Sequence, residues 1–545
     1  MGKNLNKNFT FGALAAEDDN LLPSAFHDNG DFTSVENRED ARCFIIGRTG
    51  CGKSAILRHL KEVHPERVIT VSPESLSLRY IVNLPIMKRL QEADVKLDLF
   101  LKALWKHVII VEIIRHHYKI ASEPAKLSVF EHLRKKFTKE SNKRALSYLD
   151  EFGDKFWCET EVRVKQIFDK LEDKVKGVGE LNAFIPGITT KGTAETEHIK
   201  TQEITQEVKA LYQRVVNDPQ LSYLNDMVGI LDEVLEPKQK FCYLLIDDLD
   251  KEWVDDDLAV SLIRYLFDAV LDLQKVRGLK ILVALRTNIF QQLKYGERKR
   301  GTQEEKIQGL ALNIKWTESD LFNLLETRTK AAYTFYKLDP PSSLADILPA
   351  ERKPPIAKVD RAPSSYIFNR TLLRPRDAIS YLNKCATAAS GQDVITWENI
   401  IQVEREYSVE RLAALRDEWR DPYLGIDKSL KFFDGAPLKI LHNDLGKILD
   451  RVAELSMEDN IRDWLGPMFQ NFWDLDNEPA NWHKRYGQFI SLLYEISFLG
   501  IAKNEKTSPI YSYQDPLLAG QLDKLNSTSY FTVHTAFRSA LDIKN

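Results

Sequence analysis

Features that would betray a role through composition alone are mostly missing from this chain. It has no long apolar run. The most apolar helical stretch, Leu99–Ile114, is broken by Lys102, Lys106 and Glu112, so it reads as a buried helix, and no membrane role is expected. The start, Met1-Gly-Lys-Asn-Leu-Asn6, carries no apolar signal region, and Asn6 stands where a good myristoylation match needs Ser or Thr. Cysteine is scarce. Cys43, Cys51, Cys158, Cys242 and Cys385 are scattered, odd in number and without CxxC or Cys/His metal spacing. Reduced thiols in a cytoplasmic protein are the simplest reading. Neither charge sign dominates: the formal net charge of −4 argues against a wholesale nucleic-acid coat, though not against a local basic patch. Internal repeats, low-complexity tracts, GxSxG, HExxH and paired Cys/His nuclease signatures are all lacking. His116 and His117 are neighbours on a helix and so point about 100° apart, and with only Glu112 nearby they suggest no metal site. What remains is 545 residues of ordinary globular composition, enough for a large core and three or four domains.

Against that background one segment stands out. Phe44-Ile-Ile-Gly-Arg-Thr-Gly-Cys-Gly-Lys-Ser-Ala-Ile-Leu57 reads as a short buried strand, a glycine loop and the start of a helix. Gly47, Arg48, Thr49, Gly50, Cys51, Gly52, Lys53 and Ser54 fit GxxxxGK[ST], the P-loop, and Ala55 continues it. Glycines let successive backbone N–H groups curl around a phosphate without Cβ clashes. The helix that follows turns its positive end to the same anion. The pattern gives Lys53 the β- and γ-phosphates and Ser54 a Mg²⁺ ion. A second apolar run, Phe241–Ile246, suits a central parallel strand and ends in Asp247-Asp248-Leu249-Asp250. Asp247 is the candidate metal partner and Asp248 the candidate base for an attacking water. No NKxD guanine-reading motif is evident, so ATP is the expected nucleotide.

Residues 1–40 are polar and turn-rich and are expected to wrap a core at 41–315. Within that core a long, mostly helical insertion is expected at 86–235, with a Gly/Thr-rich loop at Val175–Thr193 and renewed helical spacing at Ile204–Val216. Strands are expected at Arg67–Val71, Leu279–Leu285 and Leu310–Ile314, and helices at Leu258–Val276 and from Glu318 to Tyr336. Strand–helix alternation of this kind implies a parallel sheet with crossover helices. Residues 316–420 read as a helical lid, interrupted by the proline-rich Asp339–Pro363. From 421 to 545 a separate domain is expected. A helix at Trp482–Phe498, then Gly500–Lys503, a polar turn and Ile510–Tyr513 suggest a winged helix. Trp464, Trp473 and Trp482 read as its core. The basic helix surface around Arg134-Lys135-Lys136 reads as a solvated face.

With these pieces placed, the chain resembles the AAA+ and STAND branches of the P-loop ATPases. The resemblance implies a residue at the end of the next strand that senses the γ-phosphate, here Asn288, with Arg286 second. It implies a lid arginine in Leu373-Arg374-Pro375-Arg376-Asp377-Ala378, with Arg376 ahead of Arg374, and Pro375 is suited to open a helix. Arg298 and Arg300 fall where such proteins place a finger for a neighbouring subunit. More narrowly, Phe11–Asp18, Gly47–Ser54, Ile246–Asp250, Trp316, Arg374–Asp377 and Phe531–Phe537 resemble bacterial ATPases found near nucleases and in phage-defence loci. Many motors of these branches have Asp-Glu where this chain has Asp247-Asp248. The shorter carboxylate stands further from the water, which suggests slow turnover. The expectation is therefore an ATP- and Mg²⁺-dependent switch that controls a protein effector such as a nearby nuclease, with a homo-oligomer as one form it could take. The alternative is an ATPase that assembles on duplex DNA, as replication initiators and transposition regulators do.

Overall fold

A computed structural model describes residues 5–71, 98–120, 133–137, 139–153, 220–236, 238–249, 256–290, 307–357, 360–472 and 482–543. The expected loop Val175–Thr193, the helical spacing at Ile204–Val216, Asp250, Arg298, Arg300, Cys158 and Trp473 lie outside them. The chain divides into two compact units. One comprises Gly30–Arg48 and Ile56–Ile314; the other comprises Met1–Asn29, Thr49–Ala55 and Lys315–Asn545.

The first unit is built on a parallel sheet. Its strands are β1 (Phe44–Gly47), β2 (Val68–Val71), β3 (Cys242–Ile246), β4 (Leu279–Arg286) and β5 (Ala311–Asn313), in the order β2-β3-β4-β1-β5. Every residue of β1 and β3 is buried, as expected of strands covered on both faces. Parallel neighbours cannot be joined by a tight hairpin. Helix Asp256–Leu273 accordingly carries the chain from β3 to β4. Because β4 lies between β1 and β3, with Gly47 opposite Arg286 and Ile246 opposite Val283, the C-terminal ends of these three strands share one edge of the sheet.

Helix Asp98–Tyr118 is buried along most of its length, and its polar interruptions have partners. Trp105 Nε1 donates to the Leu262 carbonyl at 2.8 Å. Lys102 pairs with Asp272 at 2.9 Å, and Lys106 reaches the same carboxylate. His107 Nδ1 and the Tyr148 hydroxyl share a 2.6 Å hydrogen bond. Burial pushes the His107 imidazole down to about 3, so it stays neutral in the core. Among the described residues no helix is long and apolar enough to cross a membrane.

The second unit has two adjoining cores. Helices Glu318–Phe335, Pro363–Asn369, Pro375–Ala388, Trp397–Gln402 and Glu404–Trp419 enclose Leu321, Leu325, Tyr381, Leu382 and Tyr407, joined by Phe9 and Phe11 of the N-terminal segment. Helix starts follow local chemistry. Thr317 and Asp320 form a reciprocal capping box, and Pro375 occupies a first-turn position where a missing N–H does no harm. The proline-rich stretch includes a 3₁₀ turn at Leu344–Ile347, and a helix opens at Pro363.

Further along, helices His442–Glu454, Asp459–Met468 and Trp482–Glu495 pack with β6 (Leu499–Ala502) and β7 (Tyr530–Val533), which pair antiparallel. Here the expected hairpin is corrected. Ile510–Tyr513 contributes only the single bridge Ile501–Ile510. Pro509 has no N–H to offer, and the Tyr511 N–H turns back to Gln514 Oε1 at 3.0 Å. The return strand is β7, buried at all four positions, and its Phe531 also bridges Ile440. Trp464 and Trp482 are half-buried against this second core.

Candidate functional site

The glycine loop begins where β1 ends. Gly50 and Gly52 adopt φ of +78° and +101°, a region that L-residues other than Asn and Asp rarely enter. At Gly50 a Cβ would also lie 2.8 Å from the Cβ of Arg376, so close approach and backbone shape both demand glycine. Helix Lys53–Val63 starts inside the motif. Lys53, Ser54 and Ala55 thus occupy its first turn, whose N–H groups lack partners within the helix. The helix is anchored by buried Ile56, Leu57 and Leu60. Successive N–H groups at alternating backbone hand, beside a helix N-terminus, form a cradle for an anion.

Side chains and backbone from the C-terminal helices hold the outside of this loop. The Thr49 N–H donates to Glu418 Oε1 at 3.2 Å, and the Thr49 carbonyl accepts from Arg374 Nη1 at 3.0 Å. The Gly50 carbonyl accepts from the Arg376 N–H at 3.2 Å. The Cys51 carbonyl accepts from Trp316 Nε1 at 2.8 Å. The Arg376 guanidinium turns toward the N-terminal segment, where Nε donates to the Leu14 carbonyl at 3.0 Å. That segment is fixed in turn by a buried ion pair, Arg328 Nη2 to Asp19 Oδ2 at 2.7 Å, and by Asn383, which bonds the Phe11 N–H and the Gly12 carbonyl.

In the sheet unit, Asp247 and Asp248 follow β3 and are partly exposed. Asp248 takes a left-handed φ of +62°, and its N–H donates to Asp247 Oδ1 at 2.9 Å. Asp tolerates that conformation better than most residues, and a residue held there marks a constrained point in the chain. Arg286 closes β4, and Asn288 sits in the helical turn just after it, partly exposed. Both therefore leave the sheet from the same edge as Gly47 and Asp247. Among the described residues no three His, Cys, Asp or Glu side chains gather as a metal-binding group. The loop offers directed N–H groups and a lysine for an anion; the end of β3 offers carboxylates for a cation or a proton.

Glu418 is the loop contact that sequence reading missed. It lies 369 positions from Thr49, and no spacing rule links the two. Trp316 is legible in the sequence only as one of the residues that carry the family resemblance.

Fold and site together define an α/β protein with a five-stranded parallel sheet, a glycine loop that follows strand β1 in the chain, and a C-terminal helical domain. Residues 319–416 match a family model described as the FunZ-associated C-terminal helical domain. Arg374, Asp377 and Arg411 fall inside that match, with Trp316 and Glu418 just beyond its two ends. The chain is also 23% identical over 438 residues to an Escherichia coli (strain K12) protein named "Putative transposon gamma-delta 80.3 kDa protein". The alignment takes in 76% of this chain and 52% of that protein, so the chain spans about half the length of the curated relative it matches.

Proposed function

We propose that this chain is a P-loop ATPase of the AAA+/STAND type, a slow ATP-driven switch that controls a partner protein. The observation that carries the reading is the glycine loop. A GxxxxGKS motif leads from a buried parallel strand into a helix, with left-handed glycines at positions 50 and 52. The strand order, with β4 between β1 and β3, agrees with it. In this reading the N–H groups of the loop and Lys53 bind the polyphosphate of ATP. Ser54 and Asp247 would hold Mg²⁺, which keeps several waters and uses few protein ligands. The ion would neutralise charge on the phosphates. Asp248 accepts the proton of the attacking water, and Asn288 orients the reacting end. Phage defence is the setting that the resemblance implies.

The test is ATP binding and turnover by the purified full chain. Wild type is expected to bind Mg–ATP and release phosphate slowly, and Lys53→Ala to lose binding. Equal binding by wild type and Lys53→Ala would sink the proposal.

A second reading, an ATPase acting on DNA, is favoured by the transposon name of the Escherichia coli relative. The arrangement of Ile440, β7 and β6 around helix Trp482–Glu495 also suits a winged helix. Against it, that helix is poor in free cations. Arg485 is engaged with the Phe472 carbonyl and stacks over the Phe472 ring. Strong stimulation of turnover by duplex DNA, falling steeply with salt, would favour this second reading over the switch.

A further inference from the structure

The contacts on the outside of the glycine loop dictate what its inside can do. A trans peptide holds the C=O of one residue opposite the N–H of the next. The carbonyls of Thr49, Gly50 and Cys51 are drawn to Arg374, Arg376 and Trp316 respectively. The N–H groups of Gly50, Cys51 and Gly52 are therefore turned the other way, where an anion would meet them.

The holder of the first carbonyl is itself locked. Arg374 Nε donates to Asp377 Oδ2 at 3.0 Å, and its Nη1 also donates to Glu418 Oε2 at 2.9 Å. Asp377 takes a second arginine, Arg411, at 2.7 Å. None of these four side chains is more than 10% exposed. Burial alone would raise the Asp377 carboxyl, but Arg374 and Arg411 hold it down at about 2. The cluster is neutral overall, two cations against two anions. Apolar side chains often fill such a space with equal or greater stability; ionic partners add a fixed geometry. Leu373, just before Arg374, is held at φ of +50°. A bulky residue rarely tolerates that region unless its surroundings impose it.

We infer that Trp316, Arg374 and Glu418 are positioning residues of the glycine loop: they hold its backbone so that its N–H groups face a nucleotide's phosphates, and this couples phosphate affinity to the seating of helix Glu404–Trp419 on the loop. The inference rests on the nucleotide-binding reading above and adds regulation to it. By linkage, ATP tightens the seating of this helix, and anything that lifts the helix weakens ATP binding by the same factor.

The experiment is a Mg–ATP titration of the full chain as wild type, Trp316→Phe, Glu418→Ala, Glu418→Gln and Lys53→Ala, with amide hydrogen exchange across 404–419. Trp316→Phe keeps a ring in place but removes the N–H, and should bind ATP about 3- to 10-fold more weakly. Glu418→Gln can still accept from the Thr49 N–H and should lie between wild type and Glu418→Ala. ATP should slow exchange in 404–419 in wild type, and less so in Trp316→Phe. Wild-type affinity in both Trp316→Phe and Glu418→Ala, or exchange indifferent to ATP, overturns the inference. If Glu418→Ala does not fold, Trp316→Phe and wild-type exchange decide. If wild type and Lys53→Ala alike fail to bind ATP, the nucleotide reading itself has fallen.

Discussion

Two aspartates show how differently one residue type can be used. Asp19 is buried and fully committed: it pairs with Arg328 and accepts the Ala13 and Leu21 N–H groups, both at 3.2 Å. Removing one member of a buried pair strands the other, at about 3–5 kcal/mol. Asp19→Ala should therefore lower the melting temperature by several degrees; an unchanged melt would mean that the pair does not form. Gly12 beside it has φ of +122°, and an added Cβ would lie 2.1 Å from Arg328 Nη1, so Gly12→Ala should be destabilising as well. Asp248, by contrast, is partly exposed at a constrained backbone position. If it is the base, Asp248→Asn should lower ATP turnover by about 100-fold or more and leave ATP affinity nearly unchanged. Asp248→Glu, one carbon longer, should raise turnover. Phosphate-release assays read both, and normal turnover in Asp248→Asn would remove Asp248 from the chemistry.

At the scale of elements, β4 carries a charge into the core. Lys280 is 6% exposed. Its ammonium donates to the carbonyls of Ser34, at 3.1 Å, and Asn37. Burial pushes the amine down to about 8, against opposing attraction from Asp40 and Cys43 and with a smaller push from Arg42. The unfolded value is about 10.4. Between those values the unfolded chain holds more protons than the folded chain, so this group makes stability rise with pH across the window. Wild type should thus gain stability relative to Lys280→Met from pH 8 to pH 10 in denaturant titrations. A flat difference across that range would refute the shift. The same strand illustrates why sequence reading found the elements. Phe241–Ile246, and Ile281–Leu285 after Lys280, are unbroken apolar runs, the pattern of strands buried on both faces. The pairing of β6 was harder to see, because its partner lies beyond a connection of more than twenty residues whose nearest apolar segment, Ile510–Tyr513, competes for it on paper.

At the scale of the molecule, each compact unit has its own buried core. Calorimetric unfolding should therefore be broader than a single two-state transition. Under the proposed function, Mg–ATP at about 100 times its Kd should stabilise the folded state by about 2.7 kcal/mol, and Lys53→Ala should abolish that effect. A thermogram unaffected by ATP would count against nucleotide binding in the whole protein.

The sequence alone determined the five strands of the parallel sheet and the glycine loop, because their signals are local: apolar runs, glycine spacing and helix caps act within a few residues. It also marked Asp247 and Asp248 as the residues that follow an apolar strand, whereas Asn288 came only from the family resemblance. Only the tertiary structure decided what surrounds the loop. Thr49–Ala55 keeps company with Lys315–Asn545 rather than with the strand that feeds it. Glu418, Arg374 and Trp316 reach it from more than 260 positions away. Side chains that far apart along the chain leave no periodicity to read. Their meeting depends on how the helices pack and which buried charges must be satisfied, and packing and charge balance are settled only when the chain has closed on itself.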